Sequence, residues 1–196
     1  VDVEEHLLLV DLHHIITDGV SQDLLIRDFV ALYAGQELPE LRLQYKDFAV
    51  WQQGEAYQEK IARDKAYWLQ QFSEEVNVLT LPTDFDRPLV KEQEGATFTF
   101  DLSDEAYAGL LKLSEEQHTT LFMTMFAIFN VLLSKLSSQE DIVLGMPVVG
   151  REHADLDAIM GMFVNTLPVR SKVDQALPFD TFLQEVKTSA LLGLEH

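Results

Sequence analysis

The chain has 196 residues, 47% of them apolar, enough to fill the core of one domain or of part of a larger one. Its 33 acidic against 14 basic side chains leave a formal charge of -19, which repels phosphate backbones and anionic membrane surfaces and argues against nucleic acid as a partner. Cysteine is absent, which removes disulfides, thiolate metal sites and a cysteine nucleophile at once and fits a cytoplasmic setting.

Val1-Asp2-Val3-Glu4-Glu5 has neither the basic region nor the small-residue cleavage site of a secretory signal, and no initiator methionine precedes it. The chain is therefore expected to be cut from a longer one. Leu194-Glu195-His196 reads as a tag remnant. His6 to His14 is a continuous apolar run with few polar interruptions, which predicts a strand covered on both faces. Thr17-Asp18-Gly19 supplies a turn and Ser21 a cap. Leu24, Leu25, Phe29, Leu32 and Tyr33 then recur at helical spacing until Gly35.

Beyond a loop through Pro39, residues 45–52 and 58–72 read as helices, and Pro82, Asp84, Asp86 and Pro88 as a linker near a lobe boundary. Phe98, Phe100 and Leu102 alternate with polar residues, the period of a half-buried strand. Ser103 caps a helix with Asp104 and Glu105 in its first turn. The run 121–136 is shorter than the about 20 residues a membrane span needs and contains Asn130 and Lys135, so it reads as a buried core helix. Residues 142–145 and 162–164 are strand-like, and 179–192, after Pro178, form a last amphipathic helix. This alternation predicts an α/β or α+β layered fold.

The chemistry concentrates in His13-His14-Ile15-Ile16-Thr17-Asp18-Gly19, at the point where a strand hands over to a loop. Four specified residues at these offsets arise by chance only on the order of a few times in ten thousand. Two histidines and an aspartate are ordinary metal ligands. On a strand, however, His13 and His14 point to opposite faces and cannot share an ion, so no metal is expected. The same alternation allows one working histidine, the other being packed or hydrogen-bonded, and does not say which. Asp18 beside a glycine is more often bonded to local backbone or paired with a distant arginine than catalytic. Gly19 permits a backbone conformation closed to other residues and lets a substrate approach the main chain. His6, His118 and His153 lie outside any such constellation.

The pattern HHxxxDG, met by His13 to Gly19, resembles the signature of condensation domains of nonribosomal peptide synthetases, which make peptide antibiotics. The likeness extends to Tyr45-Lys46-Asp47-Phe48-Ala49-Val50-Trp51-Gln52, to Leu81-Pro82-Thr83-Asp84 with Arg87-Pro88, and to Met160-Gly161-Met162-Phe163-Val164-Asn165-Thr166. It implies a chloramphenicol acetyltransferase-like fold of two lobes forming a V, in a whole domain of roughly twice this length. Residues 1–80 would be the C-terminal part of the N-lobe, 81–95 the inter-lobe crossover, 96–193 part of the C-lobe and 194–196 the tag remnant.

The resemblance further implies an acyltransferase that joins a donor acyl or peptidyl thioester to the α-amine of an acceptor aminoacyl thioester. Both would ride on phosphopantetheine arms of peptidyl carrier proteins, beside an adenylation domain in the parent chain, with no cofactor bound directly. His14 matches the family's catalytic histidine, as general base or as a group that holds the amine. Asp18 matches a structural residue, with Arg151 as its partner by analogy and His13 and Gly19 as support; the Gly19 N–H would face the developing oxyanion. Tyr45, Trp51 and Asn165 would shape the substrate tunnel. The isolated segment, with part of its tunnel, is expected to be inactive. Epimerization domains share HHxxxDG, but Phe163-Val164-Asn165-Thr166 is similar to the condensation version; heterocyclization domains carry aspartates for the two histidines, and DFGWG of plant-type acyltransferases is absent. A non-catalytic recruitment domain of the same fold is a further alternative, against which the intact heptad weighs.

Overall fold

A computed structural model describes residues 5–90 and 94–196. The elements are α1 (Gly19–Tyr33), α2 (Tyr45–Gln52), α3 (Glu55–Gln71), α4 (Asp104–Glu116), α5 (Leu121–Ser137), β1 (Asp141–Val148), β2 (Asn165–Lys172) and α6 (Phe179–Glu195), with short 3-10 turns at His14–Ile16 and Ala154–Leu156. They fall into two compact units, Val1–Lys65 with Pro147–Thr166 and Ala66–Met146 with Leu167–His196.

In the second unit α5 packs against α4 and α6. Local chemistry sets the ends of these helices. Ser103 accepts from the Ala106 N–H at 3.2 Å, Thr120 from the Met123 N–H at 3.2 Å, and Ser138 closes α5 in the left-handed region at φ 56°. Leu183, Val186 and Ala127 are each 1% exposed or less. The core helix expected over 121–136 is one-sided, however: Met123, Phe126 and Leu133 are buried, while Phe122, Phe129 and Leu136 on the other side are about half exposed. Apolar composition all round a helix records what the face can pack against, and the described residues cover one face of it. α6 runs on through Glu195, and the His196 ring stacks on Tyr67 with centroids 4.3 Å apart.

β1 and β2 form a two-stranded sheet. The Val173 N–H donates to Glu140 O at 2.7 Å, while Gly150 meets Phe163 beyond the other strand ends, so the pair runs antiparallel. The strand expected over His6–His14 does not form: residues 5–13 run without regular pairing, and Leu7 and Leu9 are 80% and 86% exposed. The alternation at 97–102 is likewise unpaired, with Phe98 87% exposed. A strand exists only where a neighbour takes its N–H and C=O groups, and among the described residues none lies beside either segment. Met162 and Phe163 belong to the loop before β2, which opens at Asn165. Residues 78–90 carry no regular structure; of the crossover expected over 81–95, residues 91–93 lie outside the described residues, as do Val1 to Glu4. Among the described residues no helix is long and apolar enough to cross a membrane.

Candidate functional site around the histidine motif

The two histidines differ in what their rings do. His13 precedes the first 3-10 turn in extended conformation, and its Nδ1 accepts from the Ile15 N–H at 3.0 Å. It is therefore a local cap, off any strand. His14 lies within the turn, its Nδ1 2.6 Å from Thr17 O. A carbonyl oxygen only accepts, so this contact assigns the proton to Nδ1 and, in the neutral ring, leaves the lone pair on Nε2. The separation of the two rings follows from this turn and not from strand alternation.

Asp18 caps α1, its Oδ1 accepting from the Ser21 N–H at 2.8 Å. This corrects the cap expected from Ser21, which sits inside the helix: the carboxylate is the better acceptor for an N–H that has no partner within the helix. Asp18 is fully buried, and it also accepts from the Ser21 hydroxyl at 2.7 Å, the Phe163 N–H at 3.1 Å and the Arg151 guanidinium at 3.2 Å. Burial pushes its carboxyl up, but these hydrogen bonds and the Arg151 charge outweigh that and leave it lowered to about 2. Arg151 is itself buried. It donates to the carbonyl oxygens of Leu156 and Ile159 and to the Ser21 hydroxyl, and its guanidinium lies 4.1 Å over the Phe163 ring.

Gly19 stands at the first position of α1, outside the left-handed region, with open space where a Cβ would project. The special conformation expected of it is absent, because Asp18 makes the turn into the helix by its side chain. The open approach to the main chain is present.

Two other glycines are constrained where Gly19 is not, Gly150 by its backbone conformation and Gly161 by a close approach. Gly150 has φ +67° and meets Phe163 O, and a Cβ on Gly161 would lie 2.1 Å from the Tyr45 ring. The Tyr45 hydroxyl donates to Met162 O at 2.8 Å, and its ring packs with Phe48 and Phe163 against Leu156 and Ile159. The 161–163 loop is thus clamped between Tyr45 and the Asp18–Ser21 pair. Trp51 instead lines a cavity of about 430 Å³ with Leu43, Phe48, Tyr57, Gly150 and Leu156, and Asn165 is exposed, accepting from the Thr166 N–H at 2.8 Å. Among the described residues no group of three or more His, Asp or Glu side chains could hold a metal ion.

A family model described as condensation domain matches residues 1–196. The chain is 49% identical to a plipastatin synthase of Bacillus subtilis over 197 residues, 98% of this chain and 5% of that protein. It is 50% identical to tyrocidine synthase 3 of Brevibacillus parabrevis, over 98% of this chain and 3% of that one. Among solved structures, a four-domain nonribosomal peptide synthetase bound to AMP and glycine superposes with a TM-score of 0.81 at 27% identity, covering 94% of this chain and 14% of that one. The X-domain from teicoplanin biosynthesis does so at 0.81 and 25%, covering 94% and 44%. The first condensation domain of the calcium-dependent antibiotic synthetase shares the fold at 0.70. The chain therefore spans a small part of its relatives' length and under half of the X-domain chain, and its α/β fold is that of these domains. It belongs to the condensation-domain family of nonribosomal peptide synthetases.

Proposed function

We propose that the chain is part of a domain that forms an amide bond between a donor acyl or peptidyl thioester and the α-amine of an acceptor aminoacyl thioester. The observation that carries this is the 2.6 Å contact of His14 Nδ1 with Thr17 O, which leaves Nε2 free to accept a proton. Both substrates ride on phosphopantetheine arms of peptidyl carrier proteins, with an adenylation domain in the same parent chain and no cofactor bound directly.

Tethering supplies much of the acceleration, since aligning two reactants removes entropy from the barrier. The acceptor amine attacks the thioester carbonyl carbon; the C–N bond forms and the C–S bond breaks. The proton lost by nitrogen passes to His14 Nε2 and from there to the departing thiolate. A hydrogen bond from Nδ1–H to Thr17 O also stabilises the imidazolium in between. Asp18 and Arg151 shape the motif and do not transfer protons, since a carboxyl so far below the usual range is a poor base near neutral pH. The Gly19 N–H, on an exposed residue at the start of α1, suits the developing oxyanion. Tyr45, Trp51 and Asn165 shape the tunnel. In this reading residues 1–80, 81–95 and 96–193 are N-lobe, crossover and C-lobe, the setting is cytoplasmic, and the 196 residues alone are inactive.

The test is dipeptidyl transfer between loaded carriers by the complete parent domain. His14→Ala is expected to lower the rate by at least about a hundredfold, the contribution of a placed general base. His13→Ala should act mainly on stability. Full transfer by His14→Ala would remove His14 from the mechanism.

A further inference from the structure

We infer that Ser21 is a positioning residue for His14, an assignment that rests on the proposed role of His14 in transfer. Ser21 is 1% exposed, and its single hydroxyl is used completely. It accepts from the Gly161 N–H at 3.0 Å and from Arg151 at 3.1 Å, filling both lone pairs. Its one proton faces Asp18 Oδ1 at 2.7 Å and Gly161 O at 2.9 Å. The charged and shorter partner, Asp18, is the stronger acceptor.

The hydroxyl therefore joins four groups far apart in the chain: the carboxylate of the motif, the guanidinium of Arg151, and the N–H and C=O of Gly161. Asp18 directly follows Thr17, whose carbonyl holds His14 Nδ1. With Asp18 anchored on both carboxylate oxygens, on one through the Ser21 hydroxyl and N–H and on the other through the Phe163 N–H, the Thr17 carbonyl is fixed and with it the His14 tautomer. Ser21 thus acts through Asp18 and Thr17, without touching substrate, in the way outer groups set the tautomer of a working imidazole.

The complete parent domain carries the test, in Ser21→Ala and, as a variant that keeps the volume with a weaker donor, Ser21→Cys. Two quantities are read at a temperature where circular dichroism shows the domain folded. One is the His14 ring tautomer, from 15N shifts; the other is the transfer rate at saturating loaded carriers. The wild type should show Nδ1–H alone. Ser21→Ala should show a mixture of tautomers with a transfer rate about tenfold lower and little change in KM. Ser21→Cys should fall between the two, and it decides the matter if the alanine variant does not fold. A slower rate with the tautomer unchanged assigns Ser21 a structural role only and overturns the inference, as does an unchanged rate. His14→Ala separates the two ideas: transfer retained there refutes the proposed function, whatever the Ser21 variants do to the ring.

Discussion

In the unit built from Ala66–Met146 and Leu167–His196, Ala127, Leu183 and Val186 are nearly or wholly inaccessible, and α5 packs on α4 and α6. The unit built from Val1–Lys65 and Pro147–Thr166 has a smaller apolar cluster of Leu156, Ile159 and Phe163, and beside it the buried Asp18 and Ser21 and the nearly inaccessible side chain of Arg151. The first kind of core is graded, because each methylene removed costs its own burial and cavity. The second behaves as a set: removing one member strands a buried charge or an unpaired polar atom. A core of that kind holds a few groups in one geometry, which is what a site for proton transfer needs.

The sharpest way to break this contrast is Arg151→Ala. It leaves the Asp18 carboxylate buried without its counter-ion, and a loss of about 3–5 kcal/mol is expected in urea unfolding of the complete domain. Hydrogen exchange should rise in peptides covering 18–21 and 161–163 and stay unchanged in α5 and α6. Leu183→Ala should show the reverse pattern at about 2–4 kcal/mol, since the side chain is wholly buried in α6. Equal exchange changes in both regions from either variant would mean that the units do not differ in this way.

Acid sharpens the comparison at a smaller scale. The Asp18 carboxyl is lowered from 3.8 to about 2 on folding, so its stabilisation is fully present above about pH 4 and is lost as pH falls through about 2. That amounts to about 2 kcal/mol. Acid titration of the wild type should show this slope and Asp18→Asn should lack it. The smallest effect is expected at Asn130, inaccessible within α5, whose amide donates to Phe126 O at 2.8 Å while Oδ1 has no partner among the described residues. Asn130→Leu should leave the unfolding midpoint unchanged or raise stability by up to about 1 kcal/mol, because an unpaired buried acceptor is removed from an apolar helix. A large loss there would show that the apolar unit also depends on a polar group.

The helices were largely legible from local pattern. Residues 45–52 coincide with α2, Ser103 and Pro178 mark the starts of α4 and α6, and the spacing from Leu24 to Tyr33 lies within α1. A helix closes its hydrogen bonds within itself, so caps and periodicity suffice to locate it. Residues 6–14 and 97–102 failed as strands because a strand needs a partner that local pattern does not contain. The site divides in the same manner. The heptad from His13 to Gly19 pointed to the chemistry, and its resemblance pointed to the family, while strand alternation misjudged how the two rings separate.

By itself, then, the sequence determined the helices α1 to α6, the acidic and cysteine-free character, the histidine motif and the family to which that motif belongs. Only the tertiary structure decided that His14 Nδ1 is held by Thr17 O, that Asp18 and not Ser21 caps α1, and that Ser21, Arg151 and Phe163 close around that carboxylate while Gly161 bonds the Ser21 hydroxyl. The partners of Asp18 stand 133 and 145 residues away along the chain, at Arg151 and Phe163. No local propensity encodes such a contact; it exists because a buried carboxylate must collect donors from whatever backbone and side chains the fold brings to it.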